Sequence, residues 1–454
     1  MNNKTKRKHI VLVEGGFAGY NFARKLFNNI YYDLTLVDKN NYNYFTPLLY
    51  QVATSFLEPA AISYPFRKLL KKKDINFRMA TVVGVATNEN KLQLSDGYEL
   101  DYDILVLAAG SKTNFFGNKS ISKDSFSIKG IDDALYMRNE LIKTLEKASI
   151  EKDLNEKQKL LTIVIAGGGP TGVELAGMMG ELKNSILKMD YPELKNDPMA
   201  IYLVEGAEYL LPAMSMKTHE EAYRYLEKSG IIVKLNTRVN SYSNDRVLLS
   251  DETVIETKTL IWAAGVSVNA FKGISAESIG RGNRMITDHF NQVKGYDNIY
   301  AVGDISLQYT DKAYPNGHPQ LAQPAIQQGK TLAKNLLQLA KGKSMKPFKY
   351  FDRGEMAIIG RKWAVADLLK HRLHVRGLLG LMAWLFIHLI SLVNYNNKIR
   401  TLYSWLVAYL TLDQVFRMIF QPENKERSLN PGNNKTQIDE SSLLKEKLSG
   451  QTFN

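Results

Sequence analysis

The sequence feature that most constrains the fold is an apolar run followed by three spaced glycines, IVIAGGGPTGVE at residues 163–174. The apolar residues predict a buried strand that turns tightly into a helix. In such a turn Gly167 permits the tight backbone, Gly169 leaves room for a pyrophosphate, and Gly172 lets the helix pack closely. The helix N-terminus adds free N–H groups for phosphate. The segment therefore predicts a dinucleotide site, with a strand–turn–helix that binds nothing as the alternative.

The next apolar strand indicates which dinucleotide is favoured. Residues 201–204 (IYLV) are followed directly by Glu205. An acid at this strand end accepts a hydrogen bond from a ribose 2′-hydroxyl and repels a 2′-phosphate, so the pattern favours NAD over NADP. The distance from Gly172 to Glu205 exceeds the usual spacing, and we attribute the excess to a polar excursion at residues 182–198.

Composition narrows the chemistry. The chain has 454 residues, enough for two or three domains, and no cysteine, which excludes disulfide reductase chemistry, thiolate metal sites and iron–sulfur clusters. Its seven histidines are scattered, and the only close pair, His371 and His374, lacks partner ligands, so no metal site is predicted. The net charge of +13 leaves a nucleic acid and an anionic membrane open as partners.

A second glycine fingerprint follows the apolar run at residues 10–13 and reads EGGFAG. Gly16 and Gly19 occupy fingerprint positions, and Asp38 ends the next apolar strand as a ribose acid. Glu14 stands where the first glycine is expected. It can strain the turn and set a negative charge near the pyrophosphate, which weighs against tight binding of a dinucleotide.

Two dinucleotide folds in one chain imply two dinucleotides, and the simplest chemistry between them is hydride transfer from a nicotinamide to a flavin. Other apolar strands support this hypothesis. Two of them end at Gly110 and Gly265, where the chain can pass close to a ligand while it crosses between domains. A third ends at Asp304, a carboxylate suited to a ribityl hydroxyl. Each strand taken alone is also compatible with a core strand and a small-residue turn.

These motifs together resemble the two-dinucleotide-binding flavoproteins and, within them, the type II NADH dehydrogenases, which are non-proton-pumping NADH:quinone oxidoreductases. The resemblance covers about residues 8–420 and rests on NYNYFTPLLYQVATS (41–55), AAGSKTNFFG (108–117), GGGPTGVELAGM (167–178), AVGDIS (301–306), AQPAIQQG (322–329) and the C-terminal segment. It implies an α/β fold in which an NADH domain is inserted into an FAD domain, both Rossmann-like, followed by a C-terminal helical membrane-docking segment. The implied boundaries are 1–120 and 290–345 for the FAD domain, 121–289 for the NADH domain and 346–420 for the docking segment. The polar composition of residues 421–454 separately predicts a disordered tail.

The resemblance also implies which residues contact the cofactors. The implied FAD ligands are Gly16, Gly19, Asp38 and Asp304. The implied NADH ligands are Gly167, Gly169, Gly172 and Glu205. Gly110 and Gly265 are predicted to lie close to the bound dinucleotides because of the strands that they end, and not from the resemblance. At Asn43 and Glu355 the sequence departs from the family pattern, and neither residue is predicted to contact a motif that is given a direct chemical role.

Three further residues resemble the family's catalytic groups. Glu174 looks like the carboxylate near the nicotinamide and the flavin that relays protons or positions substrate, and the alternative is a first-turn glutamate favoured by the helix dipole. Gln323 and Gln327 are four residues apart, share one helix face, and resemble the glutamines that line the quinone site. The alternative for both is a polar helix start.

The C-terminal segment shows where the positive charge lies. Residues 341–420 hold thirteen Lys or Arg and four Asp or Glu, most of the net excess. A spanning helix needs ~20 apolar residues. The uncharged run at 377–397 is borderline in length for such a helix, and the run at 401–412 is too short. Aromatic and basic flanks favour helices that lie in the interface and face anionic headgroups. A single spanning helix and a buried helical hairpin remain alternatives, and no recognition motif supports nucleic-acid binding.

The resulting prediction is a respiratory-chain enzyme, peripheral on the cytoplasmic face of a membrane, that passes electrons from NADH through FAD to a quinone. The basic start at residues 4–9 is not read as a signal peptide, because the apolar run after it is short and no cleavage site follows. A homodimer is a possible state. Two other functions stay open: a flavin-weakened paralogue that acts as a membrane-associated nucleotide-binding or scaffold protein, and an NADH reductase with a soluble acceptor whose C-terminus is a dimer interface.

Overall fold

Residues 7–369, 372–411 and 417–419 are described by the structure, a computed structural model. The tail predicted for residues 421–454 lies outside the described residues. Within them the α-helices, numbered along the chain, are α1 Phe17–Lys25, α2 Leu49–Ala53, α3 Pro59–Ile62, α4 Phe66–Leu69, α5 Lys119–Asp124, α6 Ile131–Ile150, α7 Leu154–Leu161, α8 Pro170–Glu181, α9 Leu187–Asp190, α10 Met216–Lys228, α11 Ala322–Leu339, α12 Gly377–Ser391 and α13 Tyr395–Thr411.

The first sheet is built around the N-terminal strand Lys8–Val13, which contains the apolar run predicted at residues 10–13. Side chains of α1 and α11 share a core with this strand. All neighbouring strands of this sheet are parallel, in the order Ile299–Ala301, Ile104–Leu107, Lys8–Val13, Tyr32–Asp38 and Asn76–Met79.

The second sheet is also parallel and is centred on the buried strand Thr162–Ala166. Its strand order is Ile232–Lys234, Ala200–Val204, Thr162–Ala166 and Thr259–Trp262. The last strand of the first sheet, Ile299–Ala301, follows the whole second sheet in sequence. The second Rossmann-like unit is therefore inserted into the first, and the predicted α/β fold class is confirmed.

Two short strands join the units. Lys112–Thr113 pairs antiparallel with Val266–Ser267. The first strand begins two residues after Gly110 and the second directly after Gly265, so the two predicted crossings lie side by side. The remaining small sheets are Val82–Ala86 with Lys91–Leu94 and Glu99–Asp101, Val239–Ser243 with Arg246–Leu249 and Val254–Glu256, Met285–Thr287 with Ser306–Gln308, and Tyr42–Tyr44 with Ser63–Pro65.

The C-terminal segment was predicted to be helical, but an antiparallel sheet precedes its helices. The strands of this sheet are Gly354–Gly360, Trp363–Leu368 and Leu373–Arg376. Helix α8 packs closely on it, since a Cβ added to Gly177 would lie 2.0 Å from the carbonyl oxygen of Ile359. The charge count that drew attention to this segment carries no information about strand pairing, so the sheet was missed.

Helices α12 and α13 bury one side and leave large apolar side chains exposed on the other. Among the described residues no helix is both long and apolar enough to cross a membrane. We define the docking face as nine of the exposed apolar side chains of these helices: Leu378, Leu379, Met382, Phe386 and Ile390 on α12, and Leu402, Tyr403, Leu406 and Leu410 on α13.

Candidate functional site

The two glycine loops open onto free space in the same way. Gly16 caps the N-terminus of α1, and Gly169 caps that of α8. A Cβ added at either glycine would meet no heavy atom within 4 Å. Because a helix N-terminus presents free N–H groups and a positive dipole end, both cradles fit a pyrophosphate.

The last glycine of each fingerprint is required by packing inside the loop. A Cβ on Gly19 would lie 1.9 Å from the carbonyl oxygen of Glu14, and one on Gly172 would lie 1.8 Å from that of Gly167. No side chain fits at these distances. The matching contacts show that the two loops fold alike, although the first has glutamate where the second has glycine.

Glu14 adopts a left-handed backbone conformation, with φ 66°, at the position equivalent to Gly167 with φ 109°. Both N–H groups donate to the neighbouring strand, Glu14 to Val37 at 2.7 Å and Gly167 to Val204 at 2.8 Å. A left-handed conformation costs a non-glycine residue about 1–2 kcal/mol. The strain predicted for Glu14 is therefore present, and the turn forms despite it.

The Glu14 carboxyl lies where its neutral form is favoured. Burial, and then the nearby Asp38 carboxyl, raise the pKa of Glu14 to about 7, while Lys39 acts to lower it. A large fraction of this carboxyl therefore carries a proton at neutral pH. The repulsion between Glu14 and a pyrophosphate is reduced accordingly.

The acids that end the strands hold the glycine loops. Gly15 N–H donates to Asp38 Oδ2 at 2.8 Å, and Gly168 N–H donates to Glu205 Oε2. The second oxygen of each acid accepts the backbone N–H two residues further on, at 2.8 and 2.7 Å. An ionised carboxylate offers about four acceptor positions, so a ribose hydroxyl can still bind. The sequence pattern predicted that these acids bind a ribose hydroxyl. It did not predict that they also accept hydrogen bonds from the backbone of the glycine loops.

Asn43, which was predicted not to contact a motif with a direct chemical role, contacts the first glycine loop. Its side chain is buried, and Nδ2 donates to the carbonyl oxygen of Gly15 at 2.7 Å. The prediction was therefore wrong for Asn43. Glu355, the other departure, lies in the strand Gly354–Gly360 opposite Asp367.

Asp304 is held by residues that the sequence analysis did not single out. It follows Gly303, a left-handed glycine with φ 82° whose N–H donates to the buried Oε1 of Gln328 at 2.7 Å. Ser111 Oγ donates to Asp304 Oδ2 at 2.6 Å, and Lys129 Nζ donates to Ser111 Oγ at 3.2 Å. Ser111 directly follows Gly110, which also faces free space. The available signals were the AAGS and AQPAIQQG motifs, in which Ser111 and Gln328 stand.

Glu174 is buried within α8, 8% exposed. Burial raises its pKa well above the usual range, although the backbone N–H of Ile358 and the Trp384 indole act to lower it. Among the described residues Trp384 Nε1 has no partner in hydrogen-bond geometry, so the indole lies near the carboxyl without bonding it. The helix begins at Pro170 and its first turn holds no acid, so the first-turn alternative for Glu174 is wrong.

The two glutamines of α11 differ in what occupies their amides. Gln323 Nε2 donates to Gly354 O at 2.8 Å, and its buried Oε1 has no partner among the described residues. Both amide atoms of Gln327 bond the backbone of Phe351, at 2.9 and 3.0 Å. Gln323 therefore keeps a free acceptor, whereas Gln327 holds the chain that leads to the C-terminal sheet.

Comparison with known proteins gives a consistent family. Residues 8–329 match the family described as pyridine nucleotide-disulphide oxidoreductase. The chain is 32% identical over 421 residues to the type II NADH:quinone oxidoreductase Ndh of Mycobacterium tuberculosis, covering 89% of each chain. It is 31% identical over 372 residues to the type II NADH:quinone oxidoreductase of Staphylococcus aureus strain NCTC 8325, covering 78% of this chain and 88% of that one.

A solved structure shows the same fold. NDH2 from Plasmodium falciparum in complex with NADH superposes with a TM-score of 0.83 at 21% identity, covering 92% of this chain and 100% of that one.

Proposed function

The chain belongs to the type II NADH:quinone oxidoreductases, within the pyridine nucleotide-disulphide oxidoreductase family, and we propose that it passes a hydride from NADH to FAD and two electrons on to a membrane quinone, without pumping protons. The observation that carries this proposal is the pair of matching glycine loops, each open at a helix N-terminus and each held by a strand-end acid. Two such cradles in one chain suit two dinucleotides. The absence of cysteine excludes dithiol chemistry by the chain's own residues.

The residues around each cradle fit the group proposed for it. When bound, FAD accepts the hydride and supplies the two-electron chemistry that links NADH to a quinone. The residues proposed to hold FAD are Gly16, Gly19, Asp38, Gly110 and Asp304. Those proposed to hold NADH are Gly167, Gly169, Gly172, Glu205 and Gly265.

The chain itself binds, orients and exchanges protons. Glu205 ends its strand with a carboxylate that accepts a ribose hydroxyl and repels a 2′-phosphate, so we propose NADH rather than NADPH as the donor. Burial raises the pKa of Glu174 well above its usual range and so favours the protonated carboxyl, which suits it to proton exchange in the reaction. Gln323 Oε1 can accept a hydrogen bond from a quinol hydroxyl, whereas we assign Gln327 a structural role.

We further propose that the docking face lies on a membrane surface. Its apolar side chains belong to the segment, residues 341–420, that carries most of the chain's net positive charge. An exposed apolar patch flanked by basic residues is favourable at an anionic lipid surface. A second copy of this chain would bring like charges together, so the bilayer is the better partner for this face.

Absorbance and turnover of the purified protein test the proposal. A flavin band that bleaches on addition of NADH, with faster turnover on a long-tailed quinone in lipid than on ferricyanide alone, is the expected result. A colourless protein that FAD cannot reconstitute indicates the paralogue function. A yellow protein that reduces ferricyanide and not the quinone indicates a reductase with a soluble acceptor.

A further inference from the structure

Lys129 lies in the cleft between the two dinucleotide units. The cleft is bordered by Thr171 and Leu175 of α8, by Gly265 at the end of a strand of the second sheet, and by Thr113 beside the crossing. Lys129 is the only charged side chain among the described residues that line it. A cation therefore stands where the two proposed sites face each other.

Hydrogen bonds fix Lys129 at three points. The Tyr44 hydroxyl donates to its carbonyl oxygen at 2.9 Å, and its N–H donates to Asp133 Oδ2 at 2.9 Å. Its ammonium donates to Ser111 Oγ at 3.2 Å, and Ser111 in turn donates to Asp304, the proposed ribityl ligand. The side chain is thus anchored beside the proposed FAD site.

The Lys129 ammonium donates to a neutral hydroxyl, that of Ser111, which in turn donates to the Asp304 carboxylate. Asp304 acts on the ammonium through its charge, and among the described residues no carboxylate bonds the ammonium directly. Asp304 is the titratable group that acts on the ammonium, whereas Asp133 and Tyr44 bond the backbone N–H and carbonyl oxygen of Lys129. Burial lowers the pKa of Lys129, and Asp304 opposes that effect. Since a desolvated ammonium is costly to keep, its position indicates an electrostatic role.

Hydride transfer creates a charge that this position can stabilise. A hydride carries two electrons and one proton, so NADH becomes NAD⁺ and the acceptor gains one negative charge. A cation in a cleft of low dielectric stabilises that charge more strongly than one in water.

We propose that Lys129 is a charge-stabilising residue of the hydride-transfer cleft, whose ammonium favours the reduced state of bound FAD over the oxidised state. This inference rests on the proposed function, because it requires FAD and NADH in their proposed sites. It adds to that function a residue that sets the reduction potential.

The midpoint potential of bound FAD in Lys129→Gln tests the inference. We expect the midpoint potential to be lower than that of wild type by about 30 mV or more. For a two-electron couple this is at least a tenfold change in the equilibrium constant for FAD reduction. Lys129→Arg keeps the positive charge and should restore most of the shift. Lys119→Gln, an exposed lysine on α5 with the same charge change, should leave the potential unchanged.

A pH series separates charge from packing. The wild-type potential should change slope where Lys129 loses its proton, below the usual lysine range, and Lys129→Gln should lack that change. Equal potentials and equal pH profiles for wild type and Lys129→Gln at equal FAD content overturn the inference. If Lys129→Gln loses FAD, the wild-type protein and Lys129→Arg still test the inference. A wild-type potential whose pH dependence shows no change of slope overturns the inference. A change of slope at the same pH in wild type and in Lys129→Arg also overturns it.

Failure of the proposed function gives a different result. A wild-type protein that binds no flavin removes the proposed function itself. A wild-type protein that is yellow and oxidises NADH, but whose potential does not depend on Lys129, removes only this inference.

Discussion

Trp405 Nε1 donates to Gln51 Oε1 at 2.9 Å, and both side chains are almost fully buried. Gln51 Nε2 in turn donates to the hydroxyl of Tyr50 at 3.1 Å. The Tyr50 side chain is close enough to Glu174 for the carboxyl to act on its pKa, although burial is the main cause that raises it. A helix of the docking face is therefore connected to the segment TPLLYQVA and, through it, to the surroundings of Glu174.

Trp405→Phe should destabilise the protein by about 1–3 kcal/mol, because it leaves the buried Gln51 Oε1 without a donor. Chemical denaturation of the flavin-loaded protein measures this loss. Trp363→Phe is the matched control, since Trp363 Nε1 has no hydrogen-bond partner among the described residues. Equal losses for the two variants would contradict a role for the Trp405–Gln51 bond.

Glu14→Gln should make stability less dependent on pH. The folded protein holds the Glu14 proton up to about pH 7, whereas the unfolded chain releases it near 4.5. The folded state binds more protons in that window, so wild-type stability should fall as pH rises through it, by at most about 1.4 kcal/mol per pH unit. Unfolding free energies at pH 5 and pH 8 measure the slope.

The control for Glu14 is a glutamate with the same backbone conformation in a different environment. Glu252 also has a positive φ, 65°, but its side chain is exposed. Glu252→Gln should therefore keep the wild-type slope. A wild-type slope in Glu14→Gln would show that the carboxyl is ionised in the folded protein throughout this range.

Local patterns predicted the glycine loops and their acids, because a tight turn after a buried strand needs particular residues at fixed spacing. The contacts of Asn43 and Gln51 were not predictable in this way. Gln51 meets Trp405 across 354 residues of sequence, and no local period records such a partner. The position of Glu174 after the second fingerprint was predicted. Its neighbours Ile358 and Trp384 were not, because they too are distant in sequence.

Asp367→Asn should destabilise the contact between the C-terminal sheet and α10. Asp367 is fully buried and accepts hydrogen bonds from Ser215 N–H at 2.7 Å, Ser215 Oγ at 3.0 Å, Thr218 Oγ1 at 2.9 Å and His374 Nδ1 at 2.8 Å. In Asp367→Asn an NH₂ group replaces one of the accepting oxygens and faces hydrogen-bond donors. The expected loss of folding free energy is about 3 kcal/mol. Thermal unfolding measures it, with the exposed Asp101→Asn as control.

The pH dependence of the Asp367 effect has a defined sign. Burial acts to raise the pKa of Asp367, but the hydrogen bonds outweigh it and the pKa is lowered. The carboxylate therefore stabilises the fold above its unfolded pKa, about 4, and this contribution is lost as pH falls through the lower folded pKa. Wild type and Asp367→Asn should converge in strong acid, and a constant difference down to pH 2 would contradict the assignment.

Glu174→Gln should reduce quinone turnover about 100-fold or more while FAD content and stability change little. Glutamine has the shape of the protonated acid that burial favours here, so packing is kept and only proton exchange is lost. Steady-state rates with quinone and the flavin absorbance together measure the split. Glu181→Gln, two turns further along α8, is the control. An unchanged rate in Glu174→Gln removes this residue from the mechanism.

Charge placed on the docking face should detach the protein from lipid. Leu379 and Phe386 are 74% and 63% exposed on α12, and Ile150, 80% exposed at the end of α6, is a matched position away from the face. Burying two such side chains in lipid is worth about 3 kcal/mol or more, so Leu379→Glu with Phe386→Glu should weaken binding to anionic vesicles at least ~100-fold. Ile150→Glu should bind as wild type does in the same flotation assay.

Quinone turnover in lipid should fall in the double variant while NADH:ferricyanide turnover is kept, because the dinucleotide cradles lie on other elements. A double variant that floats with vesicles as wild type does would show that α12 is not the lipid contact.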